Sequence, residues 1–76
     1  MSEIMKYVTE VLASENVACS NEDITEKINV RYGVKFSPEQ IRSTCKHLAN
    51  ERQLIEPHTV LDEDGCKYKI TWLLKN

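Results

Sequence analysis

Polar side chains that could contact nucleic acid recur along residues 37–53. Because an α-helix turns once every ~3.6 residues, this segment separates an apolar side, marked by Ile41 and Leu48, from a polar side. The polar side carries Glu39, Gln40, Arg42, Ser43, Lys46, His47, Asn50 and Gln53. Arginine or lysine can pair with O6 and N7 of guanine, asparagine or glutamine with N6 and N7 of adenine, and serine with a base edge or a phosphate. The alternative is a plain solvated helix surface.

The charge of the chain is unevenly distributed, although its net value is only −2. Residues 1–30 carry two lysines and six acids, and residues 56–76 carry three lysines and four acids. Residues 31–55 carry five basic residues against two acids, so only this middle region is positive. It contains most of the polar segment described above. The net charge itself gives no strong attraction to nucleic acid or to a membrane surface.

Catalytic and metal chemistry have little support in the sequence. Cys19, Cys45 and Cys66 are widely spaced and form no C-x-x-C pair, which argues against a disulfide framework and a zinc site. Cys45 and His47 would point to different sides of a helix and could not share a metal. There is no phosphate loop and no local Ser/His/Asp or Cys/His pair, and 76 residues leave little room for a deep pocket. We therefore predict that the protein is not an enzyme and has no cofactor. We interpret the three cysteines as small, partly buried structural residues.

The length of the chain suits one domain, residues 1–76. No apolar run approaches the ~20 residues needed to span a bilayer. The N-terminal segment lacks a basic region followed by an apolar core, so it does not resemble a signal peptide. We expect a cytoplasmic protein with no membrane partner.

Local signals predict two helices in the first half of the chain. Apolar residues at helical spacing predict the first helix over residues 2–15. Ser20 can cap a second helix, with acids in its first turn where the helix dipole favours them. Gly33 can end this helix because it adopts the left-handed conformation without strain. Between the helices, Val17-Ala18-Cys19 could add a short strand.

The third helix has the clearest start signal in the chain. Ser37 offers an N-cap oxygen, Pro38 suits the first helical position, and Gln40 completes a capping box. We predict that this helix runs to about Gln53.

Residues 54–74 predict two strands joined by the turn Asp62-Glu63-Asp64-Gly65. One strand face carries Cys66, Tyr68, Ile70, Trp72 and Leu74, and the other carries Lys67, Lys69, Thr71 and Leu73. We interpret Tyr68, Ile70 and Trp72 as core residues rather than as a base-stacking platform. The predicted core comprises Val8, Leu12, Ile24, Ile28, Ile41, Leu48, Ile70 and Trp72.

The order of these elements predicts an α+β fold, a winged helix-turn-helix with three helices and a two- or three-stranded antiparallel wing. From Ser20 to Trp72 the sequence resembles winged helix-turn-helix transcription regulators. The matching segments are Ser20-Asn21-Glu22-Asp23-Ile24 with Ile28, Ser37-Pro38-Glu39-Gln40-Ile41 with Leu48, Leu54-Ile55-Glu56, and the turn with Tyr68 and Ile70. More weakly, the chain resembles the very small fimbrial-operon regulators in its length, its Met-Ser-Glu start and its Trp72-Leu73-Leu74-Lys75 ending.

The resemblance implies a sequence-specific regulator of transcription that binds double-stranded DNA and, as in the fimbrial-operon regulators, can act with a larger regulatory protein. Helix 37–53 would enter the major groove of the DNA, and wing 54–74 would lie beside the DNA backbone. The implied DNA-binding residues are Gln40, Arg42, Ser43, Lys46, His47, Asn50, Lys67 and Lys69. The alternative is a protein-interaction module, a co-regulator or inhibitor that binds a protein partner instead of DNA.

Two features depart from the pattern of these regulators. The stretch from Ile28 to Ser37 is longer than their usual tight turn, and the wing tip carries three acids where theirs often carry arginines. Because carboxylates repel phosphates, we expect the acidic turn to stay out of a DNA groove. Lys67 and Lys69 follow this turn in the sequence and could contact the phosphates of the DNA backbone. The monomeric or dimeric state is left open.

Overall fold

The helices and strands follow the predicted order in a computed structural model that describes residues 3–61, 65 and 67–75. The described residues form three α-helices and a three-stranded antiparallel sheet. These elements are α1 (Glu3–Glu15), β1 (Cys19–Ser20), α2 (Asn21–Tyr32), α3 (Pro38–Asn50), β2 (Ile55–Leu61) and β3 (Tyr68–Leu74). The arrangement is that of a winged helix, in which β2 and β3 form the wing.

Capping boxes determine where α2 and α3 begin, and the predicted caps are confirmed. Ser20 Oγ accepts a hydrogen bond from Asp23 N at 3.1 Å, and Asp23 Oδ2 accepts one from Ser20 N at 3.3 Å. In α3, Ser37 Oγ accepts from Gln40 N at 3.2 Å, and Gln40 Oε1 accepts from Ser37 N at 2.9 Å. Each box satisfies N–H groups that have no partner within the helix, so both starts are fixed locally.

The ends of these two helices differ in how well the sequence predicts them. Gly33 ends α2 in the left-handed conformation, with φ +66°, and its N–H donates to Asn29 O, as expected. Helix α3, in contrast, ends at Asn50, so the predicted end near Gln53 was wrong. Gln53 has φ +53°, and Leu54 N donates back to Leu48 O at 3.0 Å. This left-handed turn redirects the chain into β2 before a further helical turn can form.

The sheet has the strand order β1-β3-β2, with β3 in the centre. Cys19 pairs with Trp72, and β2 pairs with β3 from Ile55↔Leu74 to Leu61↔Tyr68, with Pro57 opposite Trp72. A third strand is therefore present, but it covers Cys19–Ser20 rather than the segment that starts at Val17.

The core lies between the three helices and the near part of the wing. Its buried members are Val8, Val11, Leu12, Cys19, Ile24, Ile28, Ile41, Cys45, Leu48, Ile55 and Trp72. The indole N–H of Trp72 donates to Asn21 Oδ1 at 2.8 Å, which joins the wing to the first turn of α2. Seven of the eight predicted core residues are thus confirmed, among them Trp72.

Ile70 is the exception, because 43% of its surface remains exposed, and Tyr68 on the same strand face is 74% exposed. The interpretation of these two residues as core was wrong. Their strand face continues that of buried Trp72, but in the part of the chain that the structure describes the helices leave this end of the hairpin uncovered. The acidic turn Asp62-Glu63-Asp64 and Cys66 lie outside the described residues.

Candidate nucleic-acid interface

The exposed side of α3 brings together most of the residues that the sequence predicts to contact DNA. Arg42, Ser43, Lys46, His47 and Asn50 are all exposed. They lie on the side opposite the buried Ile41, Cys45 and Leu48, and we refer to these five exposed residues as the polar face of α3. The capping box at Ser37 and the burial of the apolar side fix the rotation of the helix, so this face is directed to solvent.

The polar face of α3 is positively charged and open. Arg42, Ser43 and Lys46 line a surface depression together with Glu39, whose carboxylate offsets part of the charge. In the described part of the chain, neither Arg42 nor Lys46 takes part in an ion pair, so both cations are available to an anionic ligand.

Two other residues of the positive region, Arg31 and Gln40, already make contacts within the protein. Arg31 lies 3.9 Å from Glu15 Oε1 and donates a hydrogen bond to Ser14 Oγ at 3.3 Å, so it belongs to the contact between α1 and α2. The amide oxygen of Gln40 accepts the N–H of Ser37 in the α3 cap. Pairing of Gln40 with adenine through both amide atoms would therefore require the cap to open.

The wing lysines lie on a separate element from the polar face of α3. Lys69 is exposed on β3 opposite Val60, and Lys67 is exposed just before β3 begins. Since neighbouring residues of a strand point to opposite faces, Lys69 lies on the face away from Tyr68 and Ile70. The positive and apolar surfaces of the wing are thus separated.

The far part of the wing has an apolar surface that the sequence pattern does not predict. Leu61 and Tyr68 pair across the strands, and Ile70 lies two residues along on the same face. Their exposed fractions are 53%, 74% and 43%. We call these three residues the apolar wing face. Aromatic and aliphatic side chains at the surface are frequent in protein interfaces.

The connection between α2 and α3 is held by Asn29, a residue that the sequence pattern does not single out. Phe36 N donates to Asn29 Oδ1 at 3.0 Å, and Asn29 Nδ2 donates to Phe36 O at 3.4 Å. The ring of Phe36 lies 6.3 Å from that of Tyr7, which stacks on Tyr32 at 4.1 Å between centroids. The only signal in the sequence is an asparagine one turn before the terminating Gly33, which is too common to predict such a contact.

The cysteines that the structure describes have no reactive environment. Cys19 and Cys45 are buried free thiols. Burial raises the pKa of Cys45 to about 12. Burial, followed by the nearby carboxylates of Asp23 and Glu15, also raises the pKa of Cys19. Both thiols therefore stay protonated near neutral pH, where a thiolate nucleophile or metal ligand would be needed.

Within the described ranges, no three His, Cys, Asp or Glu side chains are grouped so that they could hold a metal ion. None of the helices in those ranges is long and apolar enough to cross a membrane.

Comparisons with known proteins return no relative: no family model matches the chain, and no curated protein and no solved structure gives a significant match.

Proposed function

We propose that this protein is a small sequence-specific DNA-binding regulator of transcription. Helix α3 would lie in the major groove of the DNA, and the β2–β3 wing would lie beside the DNA backbone. The observation that supports the proposal most directly is the polar face of α3, where Arg42 and Lys46 are exposed and unpaired among the described residues. In a winged helix this helix is the one that can enter the groove.

Each member of this face has a role that its chemistry allows. Arg42 and Lys46 would pair with guanine or with phosphate, and Asn50 with adenine. Ser43 would contact a base edge or a phosphate, and His47 would lie at the border of the face. Lys67 and Lys69 on the wing would neutralise phosphates and so add affinity without sequence preference. The weak resemblance to fimbrial-operon regulators extends the proposal to a cytoplasmic accessory factor that acts with a larger regulatory protein.

A selection from a pool of randomised duplexes at ~50 mM salt tests the proposal directly, because counterion release makes DNA affinity strongest at low salt. We expect enrichment of a defined sequence. Its affinity should then fall with salt at a log–log slope of about −0.9 for each phosphate neutralised. Failure to enrich any duplex under these conditions would refute direct DNA binding.

Lys46→Ala tests the assignment of the interface. Loss of a base contact should weaken binding of the selected duplex by ~1–3 kcal/mol, whereas loss of a phosphate contact should weaken all duplexes alike and lower the salt slope by about one. Lys6→Ala is a matched control, because Lys6 is an exposed lysine on α1. Ser43→Ala and Asn50→Ala complete the series. Wild-type binding by all three folded α3 variants would disprove the assignment.

A protein-interaction module is the second candidate, and the apolar wing face is the observation that favours it. Under this alternative, Tyr68→Ser would abolish binding to a protein partner, and no duplex would be enriched in the selection.

Neutralising the acidic turn tests where it lies relative to DNA. Replacing Asp62, Glu63 and Asp64 with Asn, Gln and Asn should raise non-specific DNA affinity modestly if the turn lies within about one Debye length, ~10 Å at 0.1 M salt, of the duplex. A sharp loss of affinity with the fold preserved would instead make the turn a direct DNA contact.

A further inference from the structure

One asparagine holds both ends of the connection between α2 and α3. The backbone oxygen of Asn29 accepts the N–H of Gly33 at 3.1 Å, where α2 ends. Its side-chain amide accepts the N–H of Phe36 and donates to the C=O of the same residue. A single side chain thus satisfies both backbone groups of Phe36, as a neighbouring strand would.

This contact lies immediately before the start of α3. Phe36 precedes Ser37, whose N–H and hydroxyl are both engaged by Gln40 in the capping box. Hydrogen bonds therefore hold two adjacent residues, Phe36 from the last turn of α2 and Ser37 from the first turn of α3. On the other side of the connection, the ring of Phe36 lies against Tyr7 of α1.

The effect of a small rotation at this point is large at the far end of α3. A helix of 13 residues is roughly 20 Å long at ~1.5 Å per residue. A rotation of about 10° at its first turn would move Asn50 by roughly 3 Å over that length. A functional constellation tolerates displacements of only about 0.5 Å. Phosphate contacts by long, flexible lysines tolerate much more.

We propose that Asn29 is a positioning residue that sets the angle at which α3 is presented, and through that angle the sequence preference of DNA binding. The second part of this inference rests on the proposed function, whereas the first concerns the free protein. Asn29 itself does not contact DNA. Its amide fixes the long connection that distinguishes this chain from regulators with a tight turn.

Two variants separate the parts of this contact. Asn29→Asp keeps the shape and an acceptor for the N–H of Phe36, but it sets a carboxylate oxygen against the C=O. Asn29→Ala removes both hydrogen bonds. Ile24→Val is the matched control, because it weakens the buried core without touching the connection.

The first measurement is made on the free protein. Residual dipolar couplings of backbone amides should show a changed angle between α3 and α1 in both Asn29 variants. The amide of Phe36 should exchange faster with solvent in Asn29→Ala, which removes its acceptor. The control should keep the wild-type angle. An unchanged α3 axis in the Asn29 variants would overturn the inference, whether or not DNA binds. If Asn29→Ala fails to fold, the same measurement on Asn29→Asp decides.

The second measurement is the ratio of affinities for the selected duplex and a scrambled duplex. Each lost base contact corresponds to roughly tenfold in affinity, so the ratio should fall about tenfold or more in the Asn29 variants. Affinity for the scrambled duplex should stay within about twofold, since phosphate contacts depend little on the helix angle. A wild-type ratio in a variant with a rotated α3 would refute the role in specificity. If wild-type protein enriches no duplex, the proposed function fails, while the couplings still decide the positioning role.

Discussion

The two halves of the wing share two strands and one alternation pattern, yet they differ in burial. The near half pairs residues 55–58 with residues 71–74, and the far half pairs residues 59–61 with residues 68–70. In the near half, Ile55 and Trp72 are buried on one face and Thr71 on the other. In the far half, Tyr68 and Ile70 continue the face of Trp72 but are exposed. The difference arises because the helices pack only against the near half. Strand alternation determines which residues share a face, whereas burial also requires a second layer opposite that face.

The near half also carries polar contacts that fasten it to the rest of the molecule. Trp72 donates its indole N–H to Asn21, and Thr71 Oγ1 donates to His58 O at 3.0 Å across the hairpin. Leu54 lies at the base, where its oxygen accepts from Lys75 N and its N–H donates to Leu48 O in α3. We therefore expect three graded effects of substitution in the wing and at its contact with α2.

The largest effect is expected at Ile55. Ile55→Ala should lower the free energy of unfolding by ~2–5 kcal/mol, because it leaves a cavity in a fully buried site. This loss is a large part of the total stability of so small a domain. Ile70→Ala makes the same chemical change in the far half and should cost less than about 1 kcal/mol. Urea unfolding of the two variants measures the contrast, and equal losses would show that the far half is covered after all.

An intermediate effect is expected at Asn21. Asn21→Ala leaves the buried indole N–H of Trp72 without its partner, which should cost about 1–3 kcal/mol. In a Trp72→Phe background the same substitution should cost much less, because no N–H remains to be satisfied. A double-mutant cycle by thermal or urea unfolding gives this coupling, expected at ~0.5–3 kcal/mol. Additive effects would mean that the hydrogen bond does not join α2 to the wing.

The smallest effect is expected at Tyr68. Tyr68→Ser should change the free energy of unfolding by no more than about 0.5 kcal/mol, since the ring is largely in solvent. Backbone amides of the far half should also exchange with solvent faster than those beside Trp72. Slow exchange throughout β3, or a large loss of stability in this variant, would remove the distinction between the two halves.

Features set by contacts within a few residues could be predicted from the sequence. The caps at Ser20 and Ser37 and the stop at Gly33 depend on side chains or backbone at most four residues away, and all three were predicted. The face opposite Ile41 and Leu48 follows from helical periodicity, so the composition of the polar face of α3 was also available.

Features that depend on tertiary packing, or on backbone geometry that the residue types do not signal, could not be predicted. The exposure of Ile70 depends on how far the helices extend under the hairpin, which no strand pattern encodes. The early end of α3 depends on the positive φ of Gln53. No glycine or proline stands there to signal the end of the helix in the sequence. The contact of Asn29 with Phe36 joins α2 to the irregular connection that follows it, and an asparagine near the end of a helix can make many other contacts.

The position of Pro57 in the register has a consequence for how copies of the protein meet each other. Lys75 N donates to Leu54 O, so the backbone groups of Leu54 face β3. In an antiparallel pair this direction alternates from one residue to the next. Pro57 is an odd number of residues from Leu54, so its backbone groups point away from β3. The proline therefore costs the sheet no hydrogen bond. On the outer edge of β2, however, it removes the N–H that an added strand would need at the third of its seven residues. This free edge is thus a poor template for strand-to-strand aggregation, which protects a small protein whose wing already exposes apolar side chains.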